Sequence, residues 1–141
     1  MAARPTHIMD ACAGIAYLKG EAGQADLTQI LMDGRNSVAM HAVNLCEVYY
    51  DFLRSDGQQV ADTAHNTLTG VVTILNDSGA GFLKRVARWK VGHVCAGHIL
   101  GIADAFAAAT AEEYACPLVT VDHGDFDTVE QNGVLQIIWL R

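Results

Sequence analysis

The stretch GIADAFAAATAEEYACPLVTVDHGDF, from Gly101 to Phe126, decides the fold of this chain. It reads as an alanine-rich helix from Ile102 to Tyr114, a strand PLVTV that Pro117 opens, and an acidic turn, DHGDFD. A continuous apolar run bounded by turn residues is typical of a strand buried on both faces. The stretch therefore predicts a helix followed by a strand in the middle of a parallel sheet.

Carboxylates stand at both ends of this helix–strand unit. Asp104 lies on the helix among apolar neighbours, and Asp122 and Asp125 follow the strand. Burying an ionised carboxylate without a partner costs several kcal/mol or more. Asp104 must therefore be solvated in a cleft, be paired with a cation, or hold a metal ion.

Strand and helix patterns alternate through the rest of the chain. We predict strands at 6–10, from Ser37 over SVAMHAV, and at the closing segment VLQIIWL. Helices are predicted over 11–21, 24–33, 44–55 and 58–76. Residues 77–81 are predicted as a loop, followed by a very short strand near Phe82 and one or two helices up to Leu100.

This alternation predicts an α/β fold, a three-layer α/β/α sandwich with a central, mostly parallel sheet. The length of 141 residues, of which 51% are hydrophobic, is enough for a well-formed core. We find no repeat, low-complexity tract or linker, so we expect a single domain over residues 1–141.

Composition excludes several classes of protein. No run of about 18 apolar residues is present, and the first residues lack the long apolar region of a signal peptide, so we expect a cytoplasmic protein without a membrane span. The cysteines form no CxxC pair, and we expect them to be small core residues. They are Cys12, Cys46, Cys95 and Cys116. His93 and His98, five apart, would lie on different sides of a helix, so a zinc site is not expected.

The formal net charge of −7 argues at first against a nucleic-acid partner. That argument is weak for metal-dependent enzymes, because bound cations reverse the local charge of a carboxylate cluster. One basic run interrupts the acidic background, and it fits either a solvated helix face or a patch that contacts phosphates. Its members are Lys84, Arg85, Arg88 and Lys90.

Two further acids have both a structural and a functional interpretation. Asp10 follows the first predicted strand, where it is either a helix N-cap or a site residue. Glu47 follows Asn44 by three residues, which resembles a capping box, but it also lies beside the buried stripe of its helix. Because Asp10 and Asp122 both follow strands, they are expected at the carboxyl edge of the sheet, where ligand sites form in open α/β sheets.

A carboxylate cluster without a histidine, cysteine or lysine partner suits hard cations such as Mg²⁺ or Mn²⁺. Such a site favours phosphodiester hydrolysis. A phosphate-binding P-loop, a dinucleotide-binding fold and a serine nucleophile elbow are excluded, because the chain has no GxxxxGK(S/T), no GxGxxG and no GxSxG motif. Cys12 stands where a haloacid-dehalogenase phosphatase has its second aspartate, and a response-regulator receiver would need a lysine after Lys90.

The segments IMDACAGIAYL, NLCEVYY and ADAFAAATAEEYACPLVTVDHGDF together resemble a PIN domain, and within it a VapC-type toxin ribonuclease. The resemblance covers the chain from about His7 to Trp139. Carried over to this sequence, it implies that four acids form the catalytic and metal-binding set, with Asp125 as an auxiliary metal ligand. The four are Asp10, Glu47, Asp104 and Asp122.

The resemblance also implies a Mg²⁺- or Mn²⁺-dependent endoribonuclease that leaves a 5′-phosphate and a 3′-hydroxyl. It implies an RNA substrate, a small antitoxin partner that covers the cleft, and a homodimer, for which residues near Leu27, Ile30 and Leu31 are candidates. Two positions depart from the family pattern, because Cys12 and Gly101 stand where hydroxyl residues are common. Thr120 is a candidate to supply a hydroxyl near Asp122.

Two other functions fit the same residues. Besides the toxin ribonuclease, the chain fits a PIN-like module that binds RNA or protein without turnover. It also fits an RNA-processing nuclease with no antitoxin. Binding of Mn²⁺ that depends on Glu47 and Asp122 separates the nuclease from the binding module.

Overall fold

Strands alternate with helices along the chain in the computed structural model, which describes residues 3–94 and 97–141. In chain order the elements are β1 (His7–Met9), α1 (Ala11–Lys19), α2 (Gln24–Met32), β2 (Val38–His41), α3 (Ala42–Asp56), α4 (Gln58–Thr69), β3 (Thr73–Leu75), α5 (Ala80–Lys90), α6 (Ile102–Tyr114), β4 (Leu118–Thr120), α7 (His123–Gln131) and β5 (Ile137–Trp139).

The strands form one parallel sheet in the order β3-β2-β1-β4-β5. Ile8 in the central strand β1 lies opposite Ala39 of β2 on one side and Leu118 of β4 on the other. The predicted central parallel sheet is therefore confirmed.

Side chains alternate between two buried cores, one on each face of the sheet. Ile8 and Leu118 point into a core that α5, α6 and α7 cover, while Met9 and Val119 point into a core that α1 to α4 cover. Successive side chains of a strand point to opposite faces, so a strand that is apolar at every position has to be covered on both sides. This arrangement is the predicted three-layer α/β/α sandwich.

Helix α6 packs tightly because it is built from alanine. Five of its alanines are fully buried, and the small side chains let neighbouring elements come close to the backbone. They are Ala105, Ala107, Ala108, Ala109 and Ala111. The helix has the predicted bounds, Ile102–Tyr114. Its C-cap is Ala115, which has a left-handed φ of 51°.

The predicted helix over 58–76 is wrong in its second half. Helix α4 ends at Thr69, the amide of Gly70 bonds to the carbonyls of Asn66 and Thr67, and the chain then forms β3. A three-residue strand at the edge of a sheet is too short to show a period of two, so the apolar residues before it continue a helical pattern by chance.

The strand predicted near Phe82 is wrong as well, because Phe82 lies in α5. Phe82, Val86 and Trp89 are spaced four and three apart and are all buried on one face of that helix. The predicted loop at 77–81 is shorter than expected, since α5 already begins at Ala80.

The turn predicted after Asp122 is also wrong, and one of the two interpretations of Glu47 is excluded. The segment after Asp122 is the helix α7 rather than a turn, and Asp122 is its N-cap. Helix α3 begins at Ala42 with His41 as N-cap, so Asn44 and Glu47 do not form a capping box. The side-chain amide of Asn44 donates instead to the carbonyl of Ala103, at 2.9 Å.

The cysteines follow the core prediction only in part. Cys12 and Cys116 are half-buried free thiols, but Cys46 is exposed, and Cys95 lies outside the described residues. Among residues 3–94 and 97–141, no helix has the length and apolarity needed to cross a bilayer.

Candidate functional site

The acidic residues meet at the carboxyl edge of β1 and β4, the two central neighbours of the sheet. The chain runs from β1 outwards to β2 and β3 and returns to the other side of β1 as β4, so the strand order reverses at this point. Ligand sites of open α/β sheets form at such a reversal. Asp10 directly follows β1, and Asp122 lies two residues beyond β4.

Asp10 is fully buried and held by two donors. Its Oδ1 accepts the amide of Ala13 at 2.8 Å, which makes it the N-cap of α1, and its Oδ2 accepts the hydroxyl of Thr120. Burial raises the pKa of Asp10 to about 7, and repulsion from Asp122 and Glu47 adds to this effect against the two hydrogen bonds. The N-cap prediction is confirmed, and the same side chain lies within electrostatic reach of two other predicted site acids.

Thr120 joins two of the acids. Its hydroxyl donates to Asp10 and accepts the backbone amide of Asp122 at 3.0 Å, and the residue is fully buried at the end of β4. The predicted hydroxyl near Asp122 is therefore present, and it also orients Asp10.

Asp104, Asp122 and Asp125 form the tightest part of the cluster. One carboxylate oxygen from each lies within 4.8 Å of the other two. Asp104 comes from the first turn of α6, and Asp125 from the first turn of α7, where Asp122 accepts its amide at 3.2 Å. Helix N-termini stabilise negative charge, so both helices present their acids at a favourable end.

Crowding alters the protonation of these acids. Burial raises the pKa of Asp104, and a hydrogen bond with Asp125 and repulsion from Asp125 and Asp10 raise it further. Burial also raises the pKa of Asp122. Like charges at short distance cannot all ionise, so without a cation the cluster retains a proton near neutral pH.

Glu47 approaches the cluster from α3. Burial raises its pKa, as does repulsion from Asp51, and Asp122 and Asp125 contribute smaller repulsions. A hydrogen bond with Tyr50 has the opposite effect. The structure thus gathers the five predicted acids from four separate segments of the chain into one cluster, in which each acid is repelled by at least one other.

No basic side chain neutralises this cluster in the described part of the chain. None of the ion pairs within 3–94 and 97–141 joins a lysine or arginine to the five acids. Among the residues that the structure describes, the ion pair of Asp125 is with a histidine, His98, whose Nε2 lies 3.9 Å from its Oδ1. An all-carboxylate set without a protein cation is the donor set of a hard divalent metal ion, so these residues fit Mg²⁺ or Mn²⁺.

His98 is the neighbour that the sequence did not reveal. It lies in the segment between α5 and α6 rather than on a helix, and its Nε2 is buried without a hydrogen bond. No periodic pattern in the sequence indicates where such an irregular segment leads, because its path depends on the elements it joins.

The two positions that depart from the family pattern both face the acids. Burial raises the pKa of the Cys12 thiol, and repulsion from Asp10, Asp122, Asp104 and Glu47 raises it further, so the thiol stays protonated. A Cβ on Gly101 would lie 3.5 Å from Oδ2 of Asp104. In place of the two hydroxyl groups of the family pattern, this chain therefore has a neutral thiol at Cys12 and no side chain at Gly101.

Two surface predictions have mixed outcomes. In the basic run, Arg85 forms ion pairs with Glu112 and Glu113 of α6, while Lys84 and Arg88 are exposed. In the candidate dimer surface, Leu27 is fully buried in the core, and Ile30 and Leu31 are partly buried against the same core.

A model of the PIN domain family matches residues 8–131 of the sequence. A comparison with curated proteins finds no significant sequence match.

Solved structures share the fold at low sequence identity. VapBC2 from Rickettsia felis, bound to a DNA fragment from its promoter, has a TM-score of 0.75 at 15% identity over 96% of this chain and 98% of that one. VapC20 from Mycobacterium tuberculosis, a sarcin-ricin loop cleaving toxin, has a TM-score of 0.69 at 19% identity over 87% of this chain and 94% of that one. VapBC-5 from the same organism, of the VapBC family of toxin-antitoxin systems, has a TM-score of 0.64 at 22% identity over 96% of this chain and 100% of that one.

Proposed function

Since this chain belongs to the PIN domain family, we propose that it is a divalent-metal-dependent endoribonuclease, the toxin of a toxin–antitoxin pair. One observation carries the proposal. Carboxylates of Asp104, Asp122 and Asp125 lie within 4.8 Å of one another, beside the buried Asp10, and no lysine or arginine among the described residues pairs with them. Keeping so much like charge together is costly unless a cation binds there.

The proposed ligands differ in how rigidly they are held. Asp10 accepts hydrogen bonds on both oxygens, so its orientation is fixed before any cation arrives. Asp104, Asp122 and Asp125 come from helix starts and would share one ion, with Asp122 also held by the amide of Asp125 and Glu47 completing the set from α3. A bound Mg²⁺ or Mn²⁺ would supply a water of lowered pKa and stabilise the charge that develops on the phosphate.

The products would be those that the resemblance to PIN-domain ribonucleases implies. Water would add to the phosphorus and the P–O3′ bond would break, with a proton passing to the 3′-oxygen, so hydrolysis would leave a 5′-phosphate and a 3′-hydroxyl. Because the pKa values of Asp10 and Asp104 are raised, each can hold a proton near neutral pH until a cation displaces it.

An antitoxin partner suits the charge of the site. The formal net charge is −7, and the acid cluster lacks a lysine or arginine from the described residues. A partner that inserts a basic side chain among these carboxylates would neutralise them in place of the metal ion. A small protein encoded next to this chain that co-purifies with it would support this partner and count against an RNA-processing nuclease without an antitoxin.

A homodimer is part of the proposal, although Leu27 does not contribute to its surface. Light scattering at micromolar concentration checks this point, and a monomer would contradict it.

Purified protein should cut RNA when Mg²⁺ or Mn²⁺ is present and should stop when EDTA is added. Cutting that continues in EDTA would refute the metal-dependent mechanism. A protein that neither cleaves RNA nor shows Mn²⁺ binding dependent on Glu47 and Asp122 would match the binding module instead.

Thr120→Val should weaken both the fold and the metal site. The substitution keeps the shape but removes the hydroxyl, so Oδ2 of Asp10 loses a donor and the amide of Asp122 loses an acceptor in a buried place. We expect a loss of about 1–3 kcal/mol in the free energy of unfolding and a Mn²⁺ affinity about 10- to 100-fold weaker. Thermal unfolding and calorimetric titration measure the two effects.

Thr110→Val is the matched control. Thr110 is also fully buried, but its hydroxyl donates to the carbonyl of Phe106 within α6, at 2.6 Å, rather than to an acid. Its Mn²⁺ affinity should equal that of the unsubstituted protein. Equal Mn²⁺ affinities for both variants would show that Thr120 does not orient the site.

A further inference from the structure

Two aromatic rings stack beside the acid cluster. The rings of His123 and Trp139 have centroids 3.9 Å apart and planes 8° from parallel. His123 begins α7, directly after Asp122, and Trp139 ends β5, the edge strand next to β4. We call this pair the His123–Trp139 stack.

The orientation of both rings is fixed by carboxylates on α7. The indole Nε1 of Trp139 donates to Glu130 at 2.8 Å, and Nδ1 of His123 lies 2.9 Å from Oδ1 of Asp127. Trp139 also packs against the core on its face of the sheet. The stack is therefore preorganised, which reduces the entropy cost of binding a third ring.

One face of the stack is open. The side chain of His123 keeps 62% of its surface exposed even though Trp139 covers one side of the ring. The accessible area therefore includes the outer face of the imidazole, which points away from Trp139. A flat ring of similar size can lie on that face.

Other aromatic contacts of the described residues differ from this one. His41 stacks with Phe82 but is buried inside the molecule. Tyr49 and His65 meet edge to face, with centroids 6.1 Å apart, and lie on α3 and α4. The His123–Trp139 stack alone among these pairs combines parallel rings, an exposed face and a place next to the acids.

The charges around the stack select the kind of group that fits there. Asp122, Asp125 and Asp127 surround His123 in sequence, and Glu130 holds Trp139. These carboxylates repel a phosphate group, whereas an uncharged planar base has a π face that stacks on an aromatic ring. Single-stranded RNA exposes such bases, since a base within a duplex is already stacked on both faces.

We propose that the His123–Trp139 stack binds an unpaired nucleobase of the RNA substrate, adjacent to the phosphate held at the acid cluster. The proposal rests on the proposed ribonuclease function for the identity of the ligand.

Trp139 provides the signal for a binding experiment. The only other tryptophan, Trp89, is fully buried and gives a constant background. The Asp104→Asn protein is used with Mn²⁺ present, since this substitution is expected to prevent cleavage. A short single-stranded oligoadenylate is titrated against it, and an oligomer of the same length without bases is titrated in parallel.

Oligoadenylate should quench the Trp139 emission, and His123→Ala should weaken its binding at least about fivefold. His123→Phe, which keeps a ring on Trp139, should restore most of the affinity. The oligomer without bases should bind both proteins equally weakly. His65→Ala is the matched control, because it removes an aromatic partner from a distant pair, and it should bind like the parent protein.

Several results would overturn the proposal. These are equal affinity of oligoadenylate for the parent and His123→Ala proteins with the same unfolding temperature, equal binding of both oligomers, or no binding of either. If binding depends on His123 but no RNA is cleaved, the ribonuclease proposal fails and the base site stands. If RNA is cleaved but His123→Ala binds and cleaves like the parent, the base site fails and the ribonuclease stands.

Discussion

Asp104→Asn should abolish metal-dependent RNA cleavage while making the metal-free protein more stable. Asp104 belongs to the three carboxylates that lie within 4.8 Å of one another. Loss of a group that merely orients a metal ligand costs about 10- to 100-fold, so loss of a ligand should lower cleavage by at least about a hundredfold. Asparagine has nearly the same shape and cannot carry the charge that a cation requires.

The gain in stability follows from the repulsion in the cluster. Asp125 and Asp10 both repel the Asp104 carboxylate, and its raised pKa means that this repulsion develops fully only at alkaline pH. The asparagine amide can still donate to Asp125. The unfolding temperature without metal should therefore rise at alkaline pH, by about 4 °C for each kcal/mol of repulsion relieved.

Thermal unfolding in EDTA and an RNA cleavage assay with Mn²⁺ measure the two effects. Asp56→Asn is the control, because Asp56 is an exposed acid at the end of α3 and is not part of the cluster. It should retain cleavage and show no gain in stability. An Asp104→Asn protein that cleaves RNA at the parent rate would contradict the assignment of Asp104 to the metal site.

Affinity for Mn²⁺ should rise steeply with pH up to about pH 8. The pKa of Asp10 is raised from 3.8 to about 7, and that of Asp104 is raised too, so the metal-free site holds protons that a cation has to displace. Below these pKa values each displaced proton makes the affinity fall about tenfold per pH unit. Above them the affinity should level off.

The stability of the metal-free fold should change with pH in the opposite direction, falling as the pH rises. A carboxyl group whose folded pKa exceeds its unfolded value binds protons more strongly in the folded state. Asp10 therefore contributes stability at low pH that is lost as the pH rises from about 4 to about 7. Metal-free protein should lose stability over this interval, and saturating Mn²⁺ should reduce the loss.

Calorimetric titration in two buffers of different ionisation enthalpy measures the protons released on binding. Close to pH 7 we expect net proton release, which should fall towards zero in alkaline buffer. Binding of Mn²⁺ without proton release and with constant affinity between about pH 6 and about pH 8 would contradict the protonated cluster.

The sequence alone determined the elements that carry strong and long patterns. Helix α6 has the predicted bounds, and the apolar run of β4 predicted a strand in the middle of the sheet, because a strand covered on both faces is apolar at every position. The resemblance to PIN domains named the five acids and Thr120 from local motifs.

Short or irregular segments were decided only by tertiary structure. The edge strand β3 has three residues and gains its conformation from pairing with β2 rather than from its own pattern. Helix α7 was mistaken for a turn, although Asp122 and Asp125 form a recognisable helix start, because glycine and three aspartates within six residues also favour turns.

The chemistry of the site likewise required the fold. A sequence identifies Asp10 as an acid after a strand, but its pKa of about 7 results from complete burial beside Asp122 and Glu47, which lie far away in sequence. The contacts of His98 with Asp125 and of His123 with Trp139 also join residues that are far apart in the sequence. Local pattern determines which residues form helices and strands, whereas burial, charge repulsion and ring stacking arise between distant residues and exist only once the chain has folded.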